Sequence, residues 1–241
     1  MSRLTEDYRR TQIRTPDPIL SGLDAWVYNL EGKYRRRTSQ TAKLLAAAEE
    51  IDAAAPLWKD KTDGALRASL VDFREVFRRN RPGFEEQLPS AMAAIREVAD
   101  RRLGLRSHLV QLAGALALYR GTVVEMATGE GKTLTAGLIA VVWGWIGRPC
   151  HIVTVNDYLA DRDARWLEPL FKFCGVSVGR VTGEMDPQAR REEYRSDVTY
   201  TTSKEILADF LRDRLRLDAL QNASRRQIQA LSGRLQDMER G

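Results

Sequence analysis

Cysteine is scarce in this chain of 241 residues: Cys150 and Cys174 are the only two, and no close-spaced ligand pattern accompanies them. A disulfide framework and a zinc site are both poorly supported, and a reducing compartment fits. Long apolar runs are missing too. The longest, Leu134 to Gly147, has 14 residues, where a spanning helix needs about 20. Met1 to Arg14 is polar and has no apolar h-region, so a secretory signal is not expected. Neither sign of charge dominates. Against 33 Asp+Glu stand 38 Lys+Arg, a net +5 that permits an anionic partner without demanding one. The expectation from these absences is a cytoplasmic chain. What is present is globular: 43% hydrophobic and 29% charged residues exclude wholesale disorder and a fibrous repeat. At ~150 residues per domain the length suits one large domain or one and a half, enough to bury a core without staples.

The chain reads as four stretches. Residues 1–37 are a basic N-terminal segment with an amphipathic helix. Asp17-Pro18 makes an N-cap and N1 pair, and Ile19, Leu20, Leu23, Trp26, Val27 and Leu30 share a face ahead of Lys33, Arg35, Arg36 and Arg37. Two readings are open: an anchor for an anionic membrane surface or partner, or a helix packed on the protein with its basic end solvated. Packing is preferred, because stable attachment usually needs a second signal. Residues 38–120 are helical. Leu44, Leu45, Ala48 and Ile51 share a face, as do Leu66, Leu70, Phe73 and Phe77. Arg81-Pro82-Gly83 is a turn, and Gly104 stands where a helix-ending glycine belongs. Residues 121–202 change character. Strands at Thr122–Met126, His151–Val155, Val176–Val181 and Asp197–Thr201 alternate with helices, the pattern of a parallel α/β sheet. Residues 203–241 are a charged helical tail. In it Ile228, Leu231, Leu235 and Met238 form a narrow apolar seam that something must cover.

The strongest local signal is Gly129-Glu130-Gly131-Lys132-Thr133, set between the first strand and a helix. Its glycines let backbone N–H groups turn toward a phosphate. The helix start adds its positive dipole end. Lys132 can reach the β and γ phosphates, and the Thr133 hydroxyl can bind Mg²⁺. Met126 stands where the phosphate-loop pattern has its first glycine, but strand, tight loop, Lys-Thr and helix keep the required order. Glu130 is tolerable there only if its carboxylate points away. The Asn156-to-Arg165 stretch follows a strand end, the customary side for ligand and coupling residues in α/β sheets, and Asn156 or Asp157 can also simply cap the next helix. His151, Trp143, Trp145 and Trp166 read as packing residues.

Glu125 to Thr133 resembles the nucleotide loop of the SecA preprotein translocase motor family, which usually reads E-M-K-T-G-E-G-K-T. Val153-Thr154-Val155-Asn156-Asp157-Tyr158-Leu159-Ala160-Asp161-Arg162-Asp163-Ala164 is similar to that family's T-V-N-D-Y-L-A-x-R-D-A stretch. Asp197 to Thr202, followed by Asp209-Phe210-Leu211-Arg212-Asp213, looks like its D-I-T-Y-x-T…D-Y-L-R-D element. Upstream, Leu103 to Gly114 resembles its G-M-R-x-x-D-V-Q-L-x-G-G segment, with His108 and Leu109 replacing an aromatic and an Asp. The resemblance covers about residues 40 to 215, in the family's order.

The resemblance implies an α/β P-loop fold of the RecA-like, helicase-superfamily type. The expected form is an incomplete lobe with a helical N-terminal region and a helical tail. It implies ATP and Mg²⁺ as cofactors. Gln111 would read adenine, its amide donating and accepting at once. Arg106, Thr128, Gly129, Glu130, Gly131, Lys132 and Thr133 would hold the nucleotide. Lys132 and Thr133 would serve catalysis, and Thr133 the metal. The family's Walker B strand and second lobe with its arginine finger are not in these residues. Such an arginine is worth about 10³–10⁵ in rate in related NTPases, so the chain alone is expected to hydrolyse ATP poorly or not at all. The implied partners are preprotein, the translocation channel and, in a split motor, a chain supplying the missing half. The implied location is the cytoplasm, with peripheral attachment to the inner membrane. Two other readings stand beside this one. A non-catalytic adaptor would keep the fold for binding. A nucleic-acid helicase fragment is disfavoured: Asn156-Asp157-Tyr158-Leu159 stands where RNA helicases show P-T-R-E-L, and no aromatic interleaving marks a stacking groove. No nucleic-acid partner is expected.

Overall fold

The structure is a computed structural model that describes residues 22–37, 40–79 and 83–218. Its helices are α1 (Leu23–Arg37), α2 (Gln40–Ala53), the single turn α3 (Pro56–Lys59), α4 (Asp63–Arg79), α5 (Leu88–Leu103) and α6 (Leu109–Tyr119). Then follow α7 (Lys132–Ile146), β1 (Cys150–Thr154), α8 (Asp157–Phe173), β2 (Val178–Arg180), α9 (Pro187–Tyr194), β3 (Val198–Thr202) and α10 (Ser203–Asp218). A 3₁₀ turn at Phe84–Gln87 leads into α5.

The described residues divide into two units, one holding α1 and the end of α10, the other Thr41–Leu207. In the first, α1 exposes Leu23, Trp26, Val27, Tyr28 and Leu30. The expected cap at Asp17-Pro18, the apolar positions Ile19 and Leu20, and the seam from Ile228 to Met238 lie outside the described residues, as do Arg81 and Pro82 of the expected turn. Among the described residues no helix is long and apolar enough to cross a membrane.

The second unit is built around α7. This helix is apolar almost all round, and ten of its fifteen residues are buried. A helix without a polar face must be covered on every side. Here α4, α6 and α8 pack on it, with β1 and β3 beyond. Helix α4 shows why: Leu66, Leu70, Phe73 and Phe77 recur at helical spacing and turn inward as one stripe, with Phe73 partly buried. Their rings meet Trp145 of α7, Phe73 at 6.5 Å and Phe77 at 6.0 Å. Trp145 is fully buried, and its indole N–H donates to the Cys174 carbonyl at 2.8 Å. Truncating Phe77 to Ala would cost about 3–5 kcal/mol, the transfer term plus the void. Close approach of α8 explains Gly137: a Cβ there would lie 2.6 Å from Leu167 Cδ1. Leu45, expected on the buried face of α2, is exposed, while Ala48 and Ile51 are buried.

The sheet is parallel, ordered β1-β3-β2, with Cys150 and Val178 both opposite Val198. All five residues of β3 are buried, as a central strand between two parallel neighbours should be. Three of the four expected strands are therefore present, within one or two residues of their expected bounds. Thr122–Met126 is not a strand. A β-branched run becomes one only when a neighbour completes its ladder, and among the described residues none does. Thr122 turns back instead, its N–H and hydroxyl both donating to the Ala117 carbonyl at 3.0 and 2.6 Å. Val123 is fully exposed. The segment is held by Val124 and Met126, which lie against Gly114 of α6.

Buried polar groups tie the helices together and set the site. Arg96 of α5 donates through Nε and Nη2 to the Ser107 carbonyl, at 2.9 and 2.6 Å, and pairs with Asp52 of α2. The guanidinium holds the Asp52 carboxyl below its ordinary range. This fixes the residue just ahead of α6, the helix that carries Gln111. Arg190 and Glu205, both buried, pair at 2.5 Å and hold α9 to the start of α10. Removing the carboxylate would leave a buried cation, a loss of about 3–5 kcal/mol.

Candidate functional site

Ala127 to Gly131 connects the extended segment to α7, and its shape rests on two glycines. Gly129 and Gly131 have φ of +88° and +82°, a region that side chains disfavour. Gly131 has a second reason. A Cβ there would lie 2.3 Å from the amide nitrogen of Gln111. Helix α7 then begins with no side-chain cap. The first N–H groups of a helix have no intrahelical acceptor. Those of Lys132, Thr133 and Leu134 are thus left open at the positive end of the dipole.

The loop's own side chains are turned onto its backbone. Lys132 Nζ donates to the Ala127 carbonyl at 2.9 Å, and Glu130 Oε2 accepts from the Ala127 N–H at 2.9 Å. This answers where the Glu130 carboxylate points. It bonds the start of the loop.

Gln111 is buried and braces the loop. Its Oε1 accepts from the His108 N–H at 2.9 Å, closing the start of α6, and its Nε2 donates to the Glu130 carbonyl at 2.7 Å. One donor and one acceptor position of the amide remain. Arg106 pairs with Asp100 at 3.4 Å, and Thr128 sits in the exposed turn. Arg106, Gln111, Thr128 and Glu130 are not among the residues that line the cavity at the start of α7.

A cavity of about 600 Å³ opens at the start of α7, lined by Gly129, Gly131, Lys132, Thr133, Leu134, Arg162, Asp163 and Trp166. Five of these come from the loop and α7, and three from α8. Arg162 and Asp163 of the α8 wall fall in the Asn156-to-Arg165 stretch expected on the ligand side of a strand end, whereas their contact with α7 is not predicted by the sequence. A contact between α7 and α8 made across thirty positions leaves no local periodicity to find. The donor set suits a phosphate: open backbone N–H groups, a helix N-terminus, a lysine and a hydroxyl. A second groove, about 550 Å³, lies under Tyr119, Trp143 and the 3₁₀ turn. There burial and the neighbouring Glu85 push the Tyr119 hydroxyl up to about 12.

Asn156 caps α8, its side chain accepting from the Leu159 N–H at 2.8 Å. Asp157 accepts from the Gly183 N–H at 2.8 Å. The His151 ring lies edge-on to Tyr194 at 5.7 Å. Burial pushes the Cys150 thiol up to about 11 and the Cys174 thiol upward as well, so neither is a reactive thiolate. Among the described residues no group of acidic, histidine or cysteine side chains is placed to hold a metal by itself.

Comparison with known proteins gives the family. The SecA DEAD-like domain profile matches residues 30–231. The chain is 46% identical over 221 residues to protein translocase subunit SecA 2 of Chlorobium chlorochromatii (strain CaD3), covering 92% of this chain and 33% of that protein. It is 38% identical over 205 residues to protein translocase subunit SecA 2 of Magnetococcus marinus (strain ATCC BAA-1437 / JCM 17883 / MC-1), covering 85% and 32%. It is 42% identical over 189 residues to protein translocase subunit SecA of Caldicellulosiruptor saccharolyticus (strain ATCC 43494 / DSM 8903 / Tp8T 6331), covering 78% and 22%. The chain thus spans a third or less of the curated relatives it matches. With more than half of its length matched by one profile, and with the loop, brace and parallel sheet in place, the chain belongs to the SecA DEAD-like domain family.

Proposed function

We propose that this chain is the nucleotide-binding part of a protein translocase motor, taking ATP with Mg²⁺ at Thr128 to Thr133 and coupling its binding and hydrolysis to preprotein export in the full assembly. The observation that carries the reading is the uncapped start of α7, framed by Gly129 and Gly131 and opening on the cavity beside Lys132. The names of the relatives support the assignment to protein translocation.

Each residue's task follows from its chemistry. The N–H groups of Lys132, Thr133 and Leu134 donate to phosphate oxygens. Lys132 leaves the Ala127 carbonyl to set its charge against them. Gln111 offers its spare donor and acceptor to the adenine edge while keeping its bond to the Glu130 carbonyl. The Thr133 hydroxyl oxygen would hold the metal. Mg²⁺, when bound, neutralises part of the phosphate charge. Arg106 and Thr128 contribute at the margin of the site. Preprotein, the translocation channel, a chain supplying the remaining motor elements and an anionic membrane face are the partners proposed. The exposed apolar side chains of α1 suit the last of these.

Calorimetric binding of ADP and ATP, with and without Mg²⁺, tests the reading on this chain and on Lys132→Ala. Specific binding that weakens by about 1.5–3 kcal/mol in the variant, the worth of a charge-assisted contact, is the expected result. A folded wild-type chain that binds neither nucleotide would overturn it.

A further inference from the structure

The cavity wall formed by α8 carries a contact that the phosphate-loop reading does not use. Asp163 is buried, at 7% exposure. Its Oδ1 accepts from both Nε and Nη2 of Arg162, at 2.8 and 2.6 Å. That fork occupies one carboxylate oxygen and fixes the plane of the group. The other oxygen, Oδ2, faces α7, and Thr133 Oγ1 donates to it at 3.4 Å.

A hydroxyl that ligates a cation does so through a lone pair, and its single hydrogen must go elsewhere. Where the hydrogen goes decides where the lone pairs point. A carboxylate behind a ligand is the common device for orienting it and raising its donor strength. At 3.4 Å the bond is long, as such bonds are before a site is loaded. A cation on Oγ1 would make the hydroxyl a better donor and draw the two groups together. Asp163 is itself kept from turning into the cavity, because Arg162 holds its other oxygen.

We propose that Asp163 is the positioning residue for Thr133. It takes the Thr133 hydroxyl hydrogen and turns the oxygen lone pairs toward the cavity, so that the divalent cation arriving with a nucleotide meets a preset ligand. The proposal rests on the nucleotide-binding reading above and adds to it a carboxylate from a different helix. Asp163→Asn is the informative change. An asparagine has one acceptor oxygen, which the Arg162 fork claims, so its NH₂ group faces Thr133 and cannot take the hydrogen.

The readout is the gain in ADP affinity on going from EDTA to excess Mg²⁺, measured by calorimetry for wild type, Asp163→Asn, Thr133→Val and the double variant. Thermal melting of each checks the fold, and Asp163→Ser replaces the asparagine variant if that one does not melt cooperatively. Asp163→Asn is expected to lose roughly tenfold or more of the Mg²⁺ gain, the usual effect of removing an outer-shell partner. The double variant is expected to lose no more than Thr133→Val alone, because both act through one hydroxyl. A carboxylate that only staples α7 to α8 would lower the melting temperature and leave the Mg²⁺ gain intact. That result overturns the proposal, as do losses that multiply in the double variant. A wild type that binds ADP without any Mg²⁺ gain overturns this proposal alone, whereas a wild type that binds no nucleotide overturns the functional reading as well.

Discussion

Helices α7 and α8 both begin just after an extended stretch, yet their first turns are finished differently. Asn156 closes α8 by accepting from the Leu159 N–H, and Asp186 closes α9 by accepting from the N–H groups of Gln188 and Ala189. Helix α7 is led by Gly131, which has no side chain to give. Helix α5 also begins without a side-chain cap, after Gln87, and α7 differs from it in opening on a cavity beside Lys132. The orphan N–H groups of a helix are a fixed quantity, so an uncapped start signals a ligand only beside capped ones, a lysine and a cavity.

The largest way to break this contrast is to give α7 a side chain at its cap. Gly131→Val puts a branched Cβ at a left-handed φ and into the Gln111 amide. Strain of about 1–3 kcal/mol is expected from the backbone alone, with nucleotide binding abolished in calorimetry and the melting temperature lowered. A smaller change opens the capped start instead. Asn156→Ala is expected to cost about 1 kcal/mol in urea unfolding while leaving nucleotide affinity unchanged. Glu130→Gln sharpens the contrast from the ligand's side. It removes the negative charge from the loop and is expected to tighten ADP binding up to about fivefold, the scale of an exposed charge interaction.

The smallest effect separates the two kinds of cap. Backbone donors hold the Asp186 carboxyl below its ordinary value of 3.8. As pH falls, the unfolded chain therefore takes up that proton first. The cap's contribution is whole above the unfolded value and drains away as pH falls through the folded one. Asp186→Asn is expected to keep the cap and flatten the acid limb of stability below about pH 4, near the model carboxylate value. Acid unfolding curves of the two proteins measure it. Asn156 has no proton to exchange, so its cap carries no such dependence.

Much of this was legible along the chain. The stripe from Leu66 to Phe77 records burial at helical spacing, and burial is a property each residue declares for itself. Gly104 ends α5 with a φ of +67°, and Asn156 caps α8, because both act on their own neighbours. The turn-forming glycines of the loop are readable for the same reason. Thr122–Met126 was misread because a strand is defined by a partner, and sequence shows only the willingness to pair. Gln111 was singled out, but its bond to the Glu130 carbonyl was not. The hold of Asp163 on Thr133 was invisible too, since both link residues brought together only by packing α6, α7 and α8.

The placement of tryptophan has a spectroscopic consequence. Trp145 is sealed in the core with its indole N–H bonded, whereas Trp166 is 42% exposed on the cavity wall. The first should emit at short wavelength and follow unfolding. The second should emit further to the red and respond when the cavity fills. Trp26, 61% exposed, also emits to the red, so the difference between wild type and Trp166→Phe isolates the cavity-dependent part of the signal. The protein thus carries separate optical reporters for the integrity of its core and the occupancy of its cleft.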